Sequence, residues 1–298
     1  MQNEKGFLLY ANYSDKINYA TLAVCCALSI KSSLVNNNVT VVLDKKSKNQ
    51  LQKSHSKEII SKAFDNIIVS KKQFQSLKRR HFNSPWETFS TPFNNKHRIL
   101  AYNHSPYKET ILLDTDVIVM NDDFDSIWGC DSDFLMNRKA IDLQGKPFGS
   151  IEDQKLSING IPMYWATQVY FKKGKFAKTF FDLVNYIKEE YNYFRFLYEF
   201  PDGHYRNDYV FSIAAHVMNG YISGNQRSFP IDTILTSYQE DTIAHIKDSK
   251  EIIFLSTNMD EKWKSVLVNV KDMNIHVMNK MELTRINGEF IRSCMEKL

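Results

Sequence analysis

The sequence has few cysteines, and none of them is spaced to hold a metal. Cys25, Cys26, Cys130 and Cys294 are the only 4 in 298 residues. No CxxC pair is present, and adjacent Cys25 and Cys26 are poor disulfide partners for each other. A disulfide scaffold and a zinc-ribbon module are excluded, and the expectation is reduced thiols in a cytoplasmic protein. Glycine and proline are also sparse, at 10 and 7 residues, which excludes collagenous and low-complexity architectures. Long apolar runs are missing. The most apolar stretch, Thr21–Ile30, is too short to span a bilayer. The opening residues MQNEKGFLLYANYS lack a basic region followed by a long apolar stretch, so no signal peptide is expected. Charge of one sign is not in large excess either. A formal net charge of +4 is too small to imply nucleic-acid binding.

What is present suits a packed α/β protein. Hydrophobic residues make up 43% and aromatic residues 13% of the chain, enough for a full core. No repeat and no linker interrupts it, so residues 1–298 read as one domain. Gly6–Ala11 reads as a strand. A helix follows, capped by Ser14 or Asp15, with Tyr19, Leu22, Ala23, Cys26, Ile30 and Leu34 on one face. Val39–Leu43 is a second strand ending at Asp44, which completes a right-handed βαβ unit. Lys45–Ser56 reads as a polar connection, Lys57–Phe64 as a helix and Ile67–Val69 as a third strand. Lys71, Lys72, Lys78, Arg79, Arg80 and His81 form a basic stretch, either a solvated helix face or a polyanion contact. Asn94–Tyr102 reads as a helix leading into the next strand.

That strand belongs to YKETILLDTDVIVMNDDFDSIW, residues Tyr107–Trp128. Ile111, Leu112 and Leu113 read as buried, and Asp114-Thr115-Asp116 interrupts the apolar run before Val117, Ile118 and Val119. Unpaired carboxylates do not stay ionised in a core. The strand is therefore expected to end at Asp114 in a cleft, where the acids meet a cation. Oxygen ligands at this spacing suit Mg²⁺ or Mn²⁺. Turn capping is the plainer alternative.

The second half has a different texture. Asp133–Asn137 and Thr167–Phe171 look like strands, separated by a long loop, Ile141–Trp165, with exposed-looking Met163, Tyr164 and Trp165. Phe176, Phe180, Val184, Ile187, Tyr191, Phe194 and Tyr198 step along one helix, and the stripe reads as core packing. Asn207 or Asp208 opens a further helix. Ile252–Leu255, Ser265–Val270 and Asn274–Val277 are late strands, and a helix-like tail ends the chain.

Four segments resemble the GT-A glycosyltransferases, most closely the family 8 group of glycogenin and bacterial galactosyltransferases. These are FLLYANYSD…NYATLAVCCALSI, KHRILAYNHSPYKETILLDTDVIVMNDDFDSIW, RNDYVFSIAAH and IHVMNK, in the family's order and covering most of the chain. The resemblance implies an α/β GT-A fold, a single Rossmann-like domain with a mostly parallel central sheet flanked by helices. Residues 1–125 would bind the nucleotide sugar and residues 126–298 the acceptor. It implies a UDP-sugar donor, Mn²⁺ (or Mg²⁺) held by Asp114, Asp116 and His276, and transfer of a hexose to a hydroxyl acceptor. Asn12 would read the uracil, with Ala11 and Tyr19 nearby. Asp114 and Thr115 would face the nucleotide. Lys280, and Arg98 or Lys96, would neutralise the diphosphate. Asp208 and Gln168 are the candidate groups at the sugar and acceptor. Asp208 acting as a base would give inversion, whereas the resemblance implies retention. The chain departs from the family where His276 is followed by Val277-Met278-Asn279-Lys280. The acceptor, a glycan, a lipid-linked group, a protein or a modified DNA base, stays open, as does the oligomeric state.

Two other readings compete. Asp114-x-Asp116-Val117 also fits the DxDx[TV] motif of haloacid-dehalogenase-type phosphatases, with Asp114 as nucleophile. Three strands precede it here, and that motif follows the first strand of its domain. The third reading is a polyanion-binding module using Lys71–His81.

Overall fold

The computed structural model describes the chain except residues 1–3, 71–76, 85–86, 94, 150–154, 158–159, 201–204, 225, 232, 260 and 262, and the side chains of 77–84, 87–93, 95 and 96. At its centre is a sheet of 6 strands in the order β3-β2-β1-β6-β10-β8. These are β1 (Lys5–Ala11), β2 (Asn38–Leu43), β3 (Asn66–Val69), β6 (Glu109–Leu113), β8 (Phe134–Asn137) and β10 (Trp165–Lys172). β1 runs parallel to both β2 and β6, β2 runs parallel to β3, and β10 is antiparallel to β6 and β8. The mostly parallel α/β architecture expected from the sequence is the one observed.

Strand alternation feeds two cores. In β1 the side chains of Phe7, Leu9 and Ala11 point to one core and those of Leu8 and Tyr10 to the other. Ile111 and Leu113 of β6 join the first and Leu112 the second. The first core also holds α1 (Tyr19–Ser33) and α8 (Lys280–Met295). The second holds Ala101 of the short helix α4 (Ala101–His104), α5 (Lys175–Glu189) and α7 (Asn207–Met218). Burying each large apolar side chain contributes about 1.5–3 kcal/mol, so both faces of the sheet are firmly covered.

α1 differs from the one-faced helix expected. Every residue from Ala20 to Ile30 is buried. It lies between the sheet, α8, and the helices α2 (Lys45–Ser54) and α3 (Lys57–Ala63), and its small Ala, Ser and Cys residues permit that close approach. Its cap is Asn18, whose side chain accepts from Thr21 N–H at 3.1 Å. Ser14, expected to cap, instead accepts from the backbone N–H groups of Lys16 and Ile17 in the preceding turn.

Other expectations need correction. Lys45–Ser56 is mostly helix α2; Leu51 and Ser47 are its only buried residues, so its pattern is too polar to announce a helix. Part of the basic stretch, read as a possible helix face, lies on β4 (Leu77–Ser84), paired antiparallel with β5 (Glu87–Phe93). Lys71 and Lys72 lie outside the described residues. Met163, Tyr164 and Trp165 are buried, because the entry into β10 packs under α7, where Ser212 Oγ accepts from Tyr164 N–H at 2.7 Å. The aromatic stripe does pack, but on two helices, α5 and α6 (Tyr191–Tyr198), with Glu190 between them.

Two smaller sheets complete the chain. One has the order β7-β15-β11-β9: β7 (Val117–Ile118), β9 (Lys139–Ile141), β11 (Thr233–Ser237) and β15 (Ile275–Val277). The other is antiparallel, in the order β12-β13-β14: β12 (Thr242–Asp248), β13 (Glu251–Thr257) and β14 (Ser265–Lys271). Among the described residues no helix is long and apolar enough to cross a membrane.

Candidate metal centre

Strand order creates the site. The chain steps from β1 outward to β2 and β3, then returns to place β6 on the other side of β1. The carboxyl ends of β1 and β6 therefore flank a topological switch point, where open α/β sheets bind ligands. Ala11 and Asn12 stand at the end of β1, both buried, and Asp114 stands at the end of β6.

The acidic tripeptide is held from several directions. Asp114 N–H donates to the Thr167 carbonyl at 2.9 Å, and Val117 N–H to the Asp114 carbonyl at 3.3 Å. Ser29 and Ser33 of α1 bracket Val119: the Ser29 hydroxyl accepts its N–H at 3.0 Å, and the Ser33 hydroxyl donates to its carbonyl at 2.9 Å. The third residue arrives from far downstream. His276 of β15 pairs with Val117 of β7, and the neighbouring Val277 N–H donates to the Asp116 carbonyl at 2.8 Å. One ligand atom from each of Asp114, Asp116 and His276 lies within 4.8 Å of the others.

The cluster fits a divalent ion. It combines two carboxylates with one imidazole, a donor set able to hold such an ion. His276 Nε2 is 3.4 Å from Asp116 Oδ2. His276 Nδ1 is buried and finds no hydrogen-bond partner among the described residues, although buried polar atoms are normally satisfied.

Cations flank the acids. Arg98 is almost fully buried. It comes from the 3₁₀ turn Asn95–Leu100 and its guanidinium binds the Asp114 carboxylate and the Ala166 carbonyl. Lys280, on the first turn of α8, places Nζ 2.5 Å from Asp116 Oδ2. Burial pushes the pKa of Asp116 up, but the charges of Lys280 and His276 outweigh it and hold the group well below the usual carboxylate range. For Asp114, burial dominates and raises the pKa; Arg98 opposes this and Asp116 reinforces it. Burial acts to lower the pKa of Lys280, yet Asp116 leaves it raised, with Tyr19 among its electrostatic neighbours.

The remaining expected residues fall at two distances from the acids. Thr115 is buried between them. Asp208, on the first turn of α7, accepts from Ala166 N–H at 2.8 Å; Arg98 holds the carbonyl of the same residue, so the two side chains share one stretch of β10. Arg206 Nη2 lies 3.5 Å from the Asp208 carboxylate. Gln168 has a different partner. Its amide donates to Asn137 Oδ1 at 2.5 Å, and it lines, with His276, Phe124, Phe229 and Leu235, a mainly apolar cavity of about 370 Å³. The side chain of Lys96 lies outside the described residues. Sequence reasoning missed Asn137 and Arg206. Arg206 opens the RNDYVFSIAAH segment two residues before Asp208, whereas Asn137 carries no motif signal and only the fold brings it to Gln168.

No protein family model matches the chain, and no curated protein matches it in sequence. Solved structures align with it at low identity. The galactosyltransferase LgtC, in complex with donor and acceptor sugar analogs, shares 10% identity over 98% of this chain and 95% of that one, with a TM-score of 0.44. The glycosyltransferase GlyE of Streptococcus pneumoniae TIGR4 shares 10% identity over 76% of this chain, with a TM-score of 0.43. This chain spans 45% of the GlyE chain. WbbM, a bifunctional glycosyltransferase, shares 10% identity over 63% of this chain and 35% of that one, with a TM-score of 0.37.

Proposed function

We propose that the protein is a metal-dependent glycosyltransferase of the GT-A type, moving a hexose from a nucleotide sugar to a hydroxyl acceptor. One observation carries this reading. Asp114, Asp116 and His276 converge within 4.8 Å at the switch-point crevice, with cationic Arg98 and Lys280 against the two carboxylates. A divalent ion and a pyrophosphate, bound together, would call for that combination of metal ligands and positive charge. The donor is a UDP-sugar and the ion Mn²⁺, with Mg²⁺ as the substitute. Residues 1–125 then form the nucleotide half and residues 126–298 the acceptor half of one domain.

In this reading Asp114, Asp116 and His276 hold the ion, which when bound supplies Lewis-acid stabilisation of the departing diphosphate. Asn12 and Ala11 line the nucleoside side of the crevice. Lys280 turns from Asp116 to a phosphate oxygen. Arg98 orients Asp114 and opposes the burial that raises its pKa. Asp208 is committed to a backbone N–H of β10, which suits a group fixed beneath the sugar better than a mobile base and supports retention. Asp114 as a phosphatase nucleophile fits less well, because its carboxylate is tied to Arg98.

The test is donor hydrolysis. With Mn²⁺ and a panel of UDP-, GDP- and dTDP-sugars, sugar release is expected with a UDP-sugar and not without the ion. Failure of every donor, together with hydrolysis of a simple phosphomonoester, would favour the phosphatase instead.

A further inference from the structure

The chain leaves β1 and β2 side by side. Ala11 and Leu43, the last residues of the two strands, are partners in the parallel ladder, so Asn12 and Asp44 emerge next to each other at the carboxyl end of the sheet. Asp44 opens α2 as its N-cap, with Oδ1 accepting from Ser47 N–H at 2.8 Å. A cap needs one oxygen. The second is engaged elsewhere: Oδ2 accepts from Tyr13 N–H at 2.7 Å. The Lys46 ammonium lies 5.1 Å from the centre of the Tyr13 ring. α2 also grips the far end of the same turn. Asn18 Nδ2 donates to Ser54 Oγ at 3.2 Å, and Thr21 Oγ1 lies 2.8 Å from His55 Nε2. The turn from β1 into α1 is therefore braced at both ends by one helix and its cap residues.

We infer that Asp44 is a positioning residue for the nucleoside end of the crevice: its second carboxylate oxygen fixes the backbone of the turn that presents Asn12. This rests on the nucleotide-sugar reading above, in which Asn12 and Ala11 line the nucleoside side. A carboxylate is the group this position calls for, because it offers an acceptor to each of two backbone N–H groups on different segments. Asparagine keeps one acceptor and turns an NH₂ donor toward the other N–H. Serine keeps one oxygen on a shorter arm. Both remain good helix caps, so α2 has no need of the second oxygen, whereas the turn has. With the bond to Tyr13 in place, a nucleoside meets a turn that is already ordered and does not have to order it on binding. The diphosphate end is served by other elements, the acids after β6, His276 of β15 and Lys280 of α8. The two ends of a nucleotide therefore respond separately to a change at Asp44.

Calorimetric titration of UDP and of inorganic pyrophosphate, each with Mn²⁺, into wild type, Asp44→Ser and Asp44→Asn is the test. Asp44→Ser is expected to weaken UDP about tenfold, the scale of one hydrogen bond to a charged group, and to leave pyrophosphate within about twofold of wild type. Asp44→Asn is expected to do the same, and far-ultraviolet circular dichroism verifies that each variant keeps its helices. UDP affinity unchanged in both variants overturns the inference and leaves the nucleotide reading intact. An equal loss of UDP and pyrophosphate also overturns it, because the effect is then general to the fold. Wild type that holds UDP no more tightly than pyrophosphate, or binds neither, overturns the nucleotide reading and the inference together.

Discussion

The backbone of Val277 donates its N–H to the carbonyl of Asp116 at 2.8 Å. Through that bond a strand near the end of the chain registers His276 against the acids that follow β6. The side chains then repeat the link, with His276 Nε2 3.4 Å from Asp116 Oδ2. The candidate centre therefore exists only when the small sheet β7-β15-β11-β9 has formed.

Loss of Asp116 has a stability consequence separate from metal binding. Its carboxylate is buried and faces Lys280 and His276. Breaking a buried ion pair by removing one partner costs about 3 kcal/mol. Asp116→Asn is expected to lose that much in urea unfolding without added metal, and Mn²⁺ is then expected to give no stabilisation.

Arg98 joins the Asp114 carboxylate to the carbonyl of Ala166. A planar fork can bridge the two, and a lysine ammonium cannot copy that geometry. Arg98→Lys and Arg98→Ala are both expected to destabilise the protein, by about 2–4 kcal/mol, since a buried carboxylate and carbonyl lose their donor. Chemical denaturation of the two variants checks this; a wild-type midpoint for Arg98→Lys would contradict the fork.

Much of this was readable before folding, and the boundary is physical. The end of β6 was legible because carboxylates cannot continue a buried strand, and His276 through its resemblance to a known ligand position. The convergence itself was not legible, because β7 and β15 are too short to carry a periodic signal. Met163, Tyr164 and Trp165 looked exposed because Gly and Pro surround them, whereas α7 packs on the entry into β10. α2 was hidden by its polarity, and the six-strand order by the long-range pairing of β10.

Gly6 is required by a close approach. A Cβ there would fall inside van der Waals contact of the Tyr107 ring. That ring cannot swing away, since Tyr107 is fully buried and its hydroxyl is 2.6 Å from Thr40 Oγ1. Gly6→Ala is expected to cost about 1–3 kcal/mol by overpacking, read as a lowered unfolding midpoint.

Thiol reactivity is expected to be confined to one site. Cys25, Cys26 and Cys294 are buried and Cys130 is partly exposed. Burial raises the pKa of all three buried thiols, that of Cys294 to about 12. Native protein treated with iodoacetamide at pH 8 is expected to gain label at Cys130 alone by peptide mass mapping, and at all four cysteines in guanidinium.

Alkaline pH is expected to unfold the protein. Burial raises the phenol pKa of Tyr10, Tyr170, Tyr191 and Tyr205, and that of Tyr107 to about 12. The folded pKa values exceed the unfolded one, so this contribution is fully present below about pH 10 and is lost as pH rises through the folded values. The part of the tyrosinate absorbance that comes from these five rings is expected to rise late and together with loss of circular dichroism.

The central claim is the shared centre of Asp114, Asp116 and His276, and calorimetric titration of Mn²⁺ into the protein in the presence of UDP tests it most directly. One saturable site is expected, weakened about tenfold or more by His276→Ala, as loss of one ligand should do. Absence of saturable binding, or a site that His276→Ala and Asp116→Asn leave unchanged, would contradict the account.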